Sequence, residues 1–546
     1  MTRKVLRGAT VIDGTGAPRR SADVVLDGDH IAEIVEPGRA SGDEVVDLTG
    51  LVLAPGFVDC HTHYDAQVLW DPDLTPSCWH GVTTVVMGNC GFGIAPTRPE
   101  DRETIARTLE NVEGMSVEAL TAGIPWTFET FPEYLDAVDR TPLRLNAAVM
   151  VGHTPLRTYV MGADATERAA TAAEVARMRA LVGEAIDAGA VGFATSKSPA
   201  HAGAYGKPVP SRLAEPDEIY AIGEALAARA RGVFAVTNGP DFYVEQLAEL
   251  SKRTGRPVTW TALAASASSP TALETLERQA SYGGDVWPQV ACRPIVMQLT
   301  LADPFPFARA KAFTEVLALP HDERAARYVD AAWRERARAD MARKFGARWD
   351  RISIQETGRH HDLVDIPLSE LAAARGVDPL DAMVDLALED DLATRFRFVL
   401  ANDDEGDLAA VLRDERSLLG LSDAGAHASQ LCDAVFSTYL LEHWVRDTGV
   451  LTLEQAVWRL TDHPATVFGL TGRGRIAPGF AADLVAFDAE MVGPEPPERV
   501  HDLPAGADRL LARSRGIAHV WVNGEPIVRD GNDLAARPGT LLRGKA

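Results

Sequence analysis

Leu51-Val52-Leu53-Ala54-Pro55-Gly56-Phe57-Val58-Asp59-Cys60-His61-Thr62-His63 is the stretch from which the fold is read. Its apolar lead, punctuated by Pro55-Gly56, predicts a short buried strand ending in two histidines. Residues i and i+2 of a strand point to the same side. The imidazoles of His61 and His63 can therefore converge on one ion, and imidazole is a good ligand for zinc and similar metals. A plainer reading, two hydrogen-bonded structural histidines, is decided by the rest of the chain.

Downstream, strand and helix patterns alternate. Apolar or β-branched runs lie at 81–91, 145–153, 190–195, 232–238, 257–261, 285–291 and 418–423. Helical patterns separate them, such as Thr171 to Ala188, where Val175, Met178, Val182 and Ile186 form one stripe before Gly189. Eight strands in all predict an α/β fold, a (β/α)8 TIM barrel, whose chemistry sits at the C-terminal ends of the strands. His61, His63, Cys90, His153, Lys197, Asn238 and Asp423 fall at such ends. The two ends of the chain read differently, as short strands with Gly, Asp and Pro turns at 9–14, 22–28, 31–35, 482–488 and 520–528. They predict a discontinuous small β-sandwich domain from residues 1–54 and 471–546 around a catalytic barrel of 55–470. Within the barrel, 296–395 is charged and helical in pattern and reads as a lid-like insertion after strand seven.

The chain has 546 residues, 46% hydrophobic and 24% charged, enough for a large core. A net charge of -24 argues against nucleic acid as a partner, because a phosphate-binding surface should be basic. Five scattered cysteines are no disulfide framework and suit a reducing cytoplasm. No apolar h-region follows Met1-Thr2-Arg3-Lys4-Val5, and no run of about 18 apolar residues exists to span a membrane. The expectation is a cytoplasmic protein with a small-molecule substrate and no membrane partner; the composition leaves a homo-oligomer open.

The third element is Asp423, in Leu421-Ser422-Asp423-Ala424-Gly425-Ala426-His427. A carboxylate at the end of the last strand faces the first strand across the barrel closure. It can bind a metal and take a proton from a metal-activated water. Alone this stretch reads as a turn; paired with residues 55–63 it is specific. With Gly81–Gly91, Gly152–Arg157, Val160-Met161-Gly162 and Arg475–Val485, the chain resembles the amidohydrolase superfamily, and within it the D-aminoacylase (N-acyl-D-amino-acid deacylase) family, over nearly its whole length. The resemblance implies a metal-dependent hydrolase of a C–N amide bond, deacylating an N-acyl (D-)amino acid or related small amide with metal-activated water. It implies Zn2+, one ion or two, on His61, His63, a Cys90 thiolate and Asp423. Asp423 would also be the catalytic acid/base.

The family pattern further expects histidines at the ends of strands five and six. Here Val236-Thr237-Asn238-Gly239 and Val258-Thr259-Trp260-Thr261 stand instead. Asn238 offers a weak carbonyl, and Trp260 carries only a donor. Three readings follow. A single metal on His61, His63 and Asp423, with Cys90 beside it, is preferred. A carboxylated Lys197 as a further metal ligand would suit a cyclic-amide or carbamoyl hydrolase. A non-hydrolytic binding descendant is the third. His153, His201 and His427 are candidates to stand in for lost ligands. Arg293, just after strand seven, reads as a clamp for a substrate carboxylate, with His153 and Asn238 completing the substrate-binding set.

Overall fold

The computed structural model describes residues 3–266, 270–307, 309–346 and 348–544, so residues 1–2 and 545–546 of the expected β-domain lie outside it. The chain forms two compact units. One comprises Met1–Arg293, Asp404–Ala428 and Cys432–Ala546; the other, Pro294–Asp403 and Ser429–Leu431.

The first unit holds the barrel. Its strands are β1 (Phe57–Asp59), β2 (Val82–Met87), β3 (Asn146–Gly152), β4 (Gly192–Ser196), β5 (Val233–Thr237), β6 (Val258–Thr261), β7 (Val286–Val290) and β8 (Leu418–Leu419). They lie side by side in sequence order, all parallel. The ring closes just past β1 and β8, where Thr62 and Ala424 form a parallel bridge and the His63 N–H donates to Ala424 O at 2.7 Å. Alternation along the strands divides the core. Val58, Cys60, Val86, Ala148, Met150, Ala194, Ala235 and Leu418 fill the interior. Val85, Val149, Phe193, Phe234 and Val258 face the helices instead. The helix expected from Thr171 is Ala172–Ala188, started by a Thr171/Glu174 capping box and stopped at Gly189.

Both termini join one nine-stranded sheet in this unit. At its middle, Leu484–Phe487 runs antiparallel to Val52–Pro55. Leu53, Leu484, Ala486 and Trp521 pack in a core of the sheet's own, while Val52, Ala54, Val485 and Phe487 join the barrel core. The Gly56 N–H donates to Asp483 O at 2.8 Å, so the chain leaves this sheet and enters β1 directly.

The second unit has its own core, including Phe307, Phe313, Trp333 and Phe396. Besides the expected helices it carries an antiparallel three-stranded sheet, Ile295–Thr300, Arg395–Ala401 and Ile352–Glu356. Among the described residues no helix is long and apolar enough to cross a membrane.

At the closure, Ser422 Oγ lies 2.6 Å from Asp59 Oδ2 and 2.9 Å from His61 O. Asp59 is fully buried, and that burial pushes its carboxyl up to about 7. Ser422→Ala leaves this carboxyl without its hydroxyl donor. The expected loss is about 1–3 kcal/mol of stability, read as a lower Tm in calorimetry.

Candidate metal centre

His61 and His63 stand just beyond β1, both buried. Each imidazole is held from behind. His61 Nδ1 is 2.7 Å from Gln289 Oε1, on β7, and His63 Nδ1 is 3.1 Å from Glu113 Oε1. With an oxygen acceptor on each Nδ1, the proton of the neutral ring sits there and the Nε2 lone pair is left to face inward. The two Nε2 atoms lie 3.2 and 3.6 Å from the same atom, Asp423 Oδ1.

Cys90 enters from the loop after β2, its Sγ 3.5 Å from His61 Nε2. The loop needs its glycines. A Cβ on Gly88 would meet Met150 O at 2.3 Å, and one on Gly91 would meet Thr195 Cα at 2.7 Å. Cys90 itself has φ 55°, a left-handed conformation uncommon outside glycine. Pressed against β3 and β4, the loop turns its thiol to the histidines. Burial pushes the Cys90 thiol up, but the neighbouring imidazoles outweigh it and bring it down to about 7. Burial likewise opposes ionisation of Asp423, yet His63 and His61 hold its carboxyl well below the usual range. Asp423 has φ 45°, and its side chain is 35% exposed, which makes it the carboxylate of this cluster that a substrate can reach.

Ligand atoms of His61, His63 and Cys90 lie within 4.8 Å of one another. Two imidazole nitrogens, a thiolate and an adjoining carboxylate are a donor set that fits zinc.

Other expected residues are placed elsewhere. His153 is fully buried, with Nδ1 2.8 Å from Thr195 Oγ1 and Nε2 3.0 Å from Glu218 Oε1. Glu218 also pairs with the fully buried Arg157 at 2.5 Å. Both ring nitrogens of His153 are thus engaged within the protein rather than turned to a substrate. Lys197 is buried, and its Nζ donates to Arg212 O at 2.9 Å, Ala214 O at 2.5 Å and Asp241 Oδ2 at 2.9 Å. Three acceptors are what an ammonium requires and what a carboxylated lysine would repel. Arg293 already pairs with a carboxylate, Asp433 Oδ1 at 3.0 Å, and lies over the Tyr439 ring; the protein itself fills the expected clamp. Asn238 is half-buried just past β5, its N–H on Thr261 O. Trp260 points out of the barrel, where its Nε1 donates to Gln279 Oε1. The inward residues at that end are Thr259, 3.1 Å from Gln289 Nε2, and Thr261, 3.3 Å from Thr237 Oγ1.

Sequence reasoning missed Gln289 and Glu113. Gln289 was within reach of alternation, two residues from the inward Trp287. Glu113 ends a helix with no motif around it and meets His63 only in three dimensions.

Two outcomes follow from this geometry. In ion-free protein, Cys90 should be alkylated fastest of the five cysteines at neutral pH, with a rate rising through pH 7, and zinc should protect it. Burial pushes Cys292 and Cys432 up to about 12, and Cys60 and Cys78 are also raised. Peptide mass mapping reads the order. Glu218→Ala would leave the Arg157 charge buried and unpaired, costing about 3–5 kcal/mol in denaturant unfolding while metal content stays unchanged.

A model of the amidohydrolase family matches residues 44–528. The D-aminoacylase of Alcaligenes xylosoxydans xylosoxydans is 31% identical over 98% of this chain and 97% of that protein. A D-aminoacylase structure described for its binuclear metal centre superposes with a TM-score of 0.68 at 28% identity, covering 99% of both chains. The N-acyl-D-glutamate deacylase of Bordetella bronchiseptica, complexed with zinc and a phosphonate inhibitor, does so with 0.67 at 27%, again over 99% of both. With its barrel, its histidine pair and a family match over most of its length, this chain belongs to the amidohydrolase family.

Proposed function

We propose that this protein is a zinc-dependent hydrolase that deacylates N-acyl-D-amino acids or closely related small amides, with the metal held by His61, His63, Cys90 and Asp423. The observation that carries the reading is the convergence of three ligand residues within 4.8 Å, with Asp423 Oδ1 beside both imidazoles. A zinc ion there would supply Lewis acidity, polarising the amide carbonyl and acidifying a water. The chain's own residues do the rest. Gln289 and Glu113 keep both imidazoles turned inward. Asp423, ionised at neutral pH and partly exposed, accepts the proton of the attacking water on its carboxylate and returns it to the leaving nitrogen. The thiolate of Cys90 balances charge in a buried site.

One ion per chain is the stoichiometry this donor set favours. The inward ends of β5 and β6 present Thr237, Thr259 and Thr261, with no imidazole or carboxylate for a second ion. The cyclic-amide alternative required a carboxylated Lys197 and loses support with the three bonds of its ammonium. Work in the cytoplasm accords with the five free cysteines.

Elemental mass spectrometry of purified protein should find about one zinc per chain, and N-acetyl-D-amino acids should be hydrolysed. The His61→Ala/His63→Ala double variant should lose both. A variant that keeps its metal, or its turnover, would refute the assignment.

A further inference from the structure

We infer that Glu113 is the positioning residue of this centre: its buried carboxylate fixes the His63 ring with Nε2 toward the metal position, and thereby strengthens metal binding. The inference rests on the zinc-dependent reading above.

Glu113 is the last residue of a helix, α1 (Arg102–Glu113), with Gly114 as its cap at φ 63°. Two physical terms oppose a glutamate there. A carboxylate in the last turn faces the negative end of the helix dipole. It is also only 2% exposed, and burying a charge is costly unless it is paired. The compensation is His63, whose Nδ1 lies 3.1 Å from Glu113 Oε1. A residue disfavoured by its helix and by its burial is expected where a site requires it.

The consequence for His63 is specific. With Nδ1 committed to the carboxylate, Nε2 is the nitrogen left for a ligand, and an anion on the far nitrogen makes the ring a stronger donor. His61 has the neutral counterpart, Gln289 Oε1 at 2.7 Å. The two imidazoles are therefore unequal, one backed by an amide and the other by a charge. Glu113 acts through its main chain as well, because its carbonyl oxygen accepts the His427 N–H. One residue thus ties the ring of His63 to the loop that carries Asp423.

The test uses the full chain and needs no substrate. Zinc dissociation constants of wild type, Glu113→Gln and Glu113→Ala are measured by competition with a chromophoric chelator, and the ion-free proteins are checked by circular dichroism and thermal unfolding. Glu113→Ala should bind zinc about 10- to 100-fold more weakly. Glu113→Gln, which keeps an acceptor and removes the charge, should fall between the two. A merely structural residue would lower the ion-free Tm and leave the zinc constant unmoved; that result overturns the inference. If Glu113→Ala does not fold, the near-isosteric Glu113→Gln decides, and a constant within about twofold of wild type overturns it. Wild type that binds no zinc refutes the functional reading itself, whereas tight binding by all three proteins refutes only the role of Glu113.

Discussion

A buried hydroxyl sits at the seam between the first and last barrel strands. Ser422 Oγ touches Asp59 Oδ2 and His61 O, joining residues 363 and 361 positions apart in the chain. Beside it, Thr62 pairs with Ala424, and a Cβ on Gly425 would meet His63 O at 2.7 Å. These contacts fix how far Asp423 stands from the two imidazoles. A parallel sheet that stayed open would leave the histidines on one edge and the carboxylate on the other, and Asp423 would not join the donor set.

Burial then sets the chemistry. In a low-dielectric interior an unpaired charge is costly, so each ionisable group of the centre has an opposite or polar partner. The imidazoles lower the Cys90 thiol and the Asp423 carboxyl, and burial opposes both shifts. The same physics operates at His153, Glu218 and Arg157, also deep in the barrel wall. There the partners of His153 and Arg157 are protein groups, and the network is a structural one. The difference between the two clusters is access: the Asp423 side chain is 35% exposed and that of Glu218 only 4%.

Much of the frame was legible in the chain. Period-two alternation, a helical stripe of apolar residues and Gly stops marked the eight strands and the helices between them. His61, His63, Cys90 and Asp423 were legible because strand ends carry the chemistry of this fold. Side-chain direction and partners were less legible. Trp260 was placed at the mouth of strand six, but one residue of register turns it into the helix layer. Lys197 and Arg293, expected to meet a metal and a substrate, bond Asp241, Asp433 and main-chain carbonyls.

The sequence by itself determined which residues could bind a metal and in which strand ends they sit, because spacing along a strand fixes the side each residue faces. Tertiary structure alone decided which of them meet. Glu113 reaches His63 from the end of a helix, Gln289 reaches His61 from β7, and Asp423 joins both only when the ring closes. Such pairings depend on distances between elements remote in the chain, and no local pattern of residues encodes those distances.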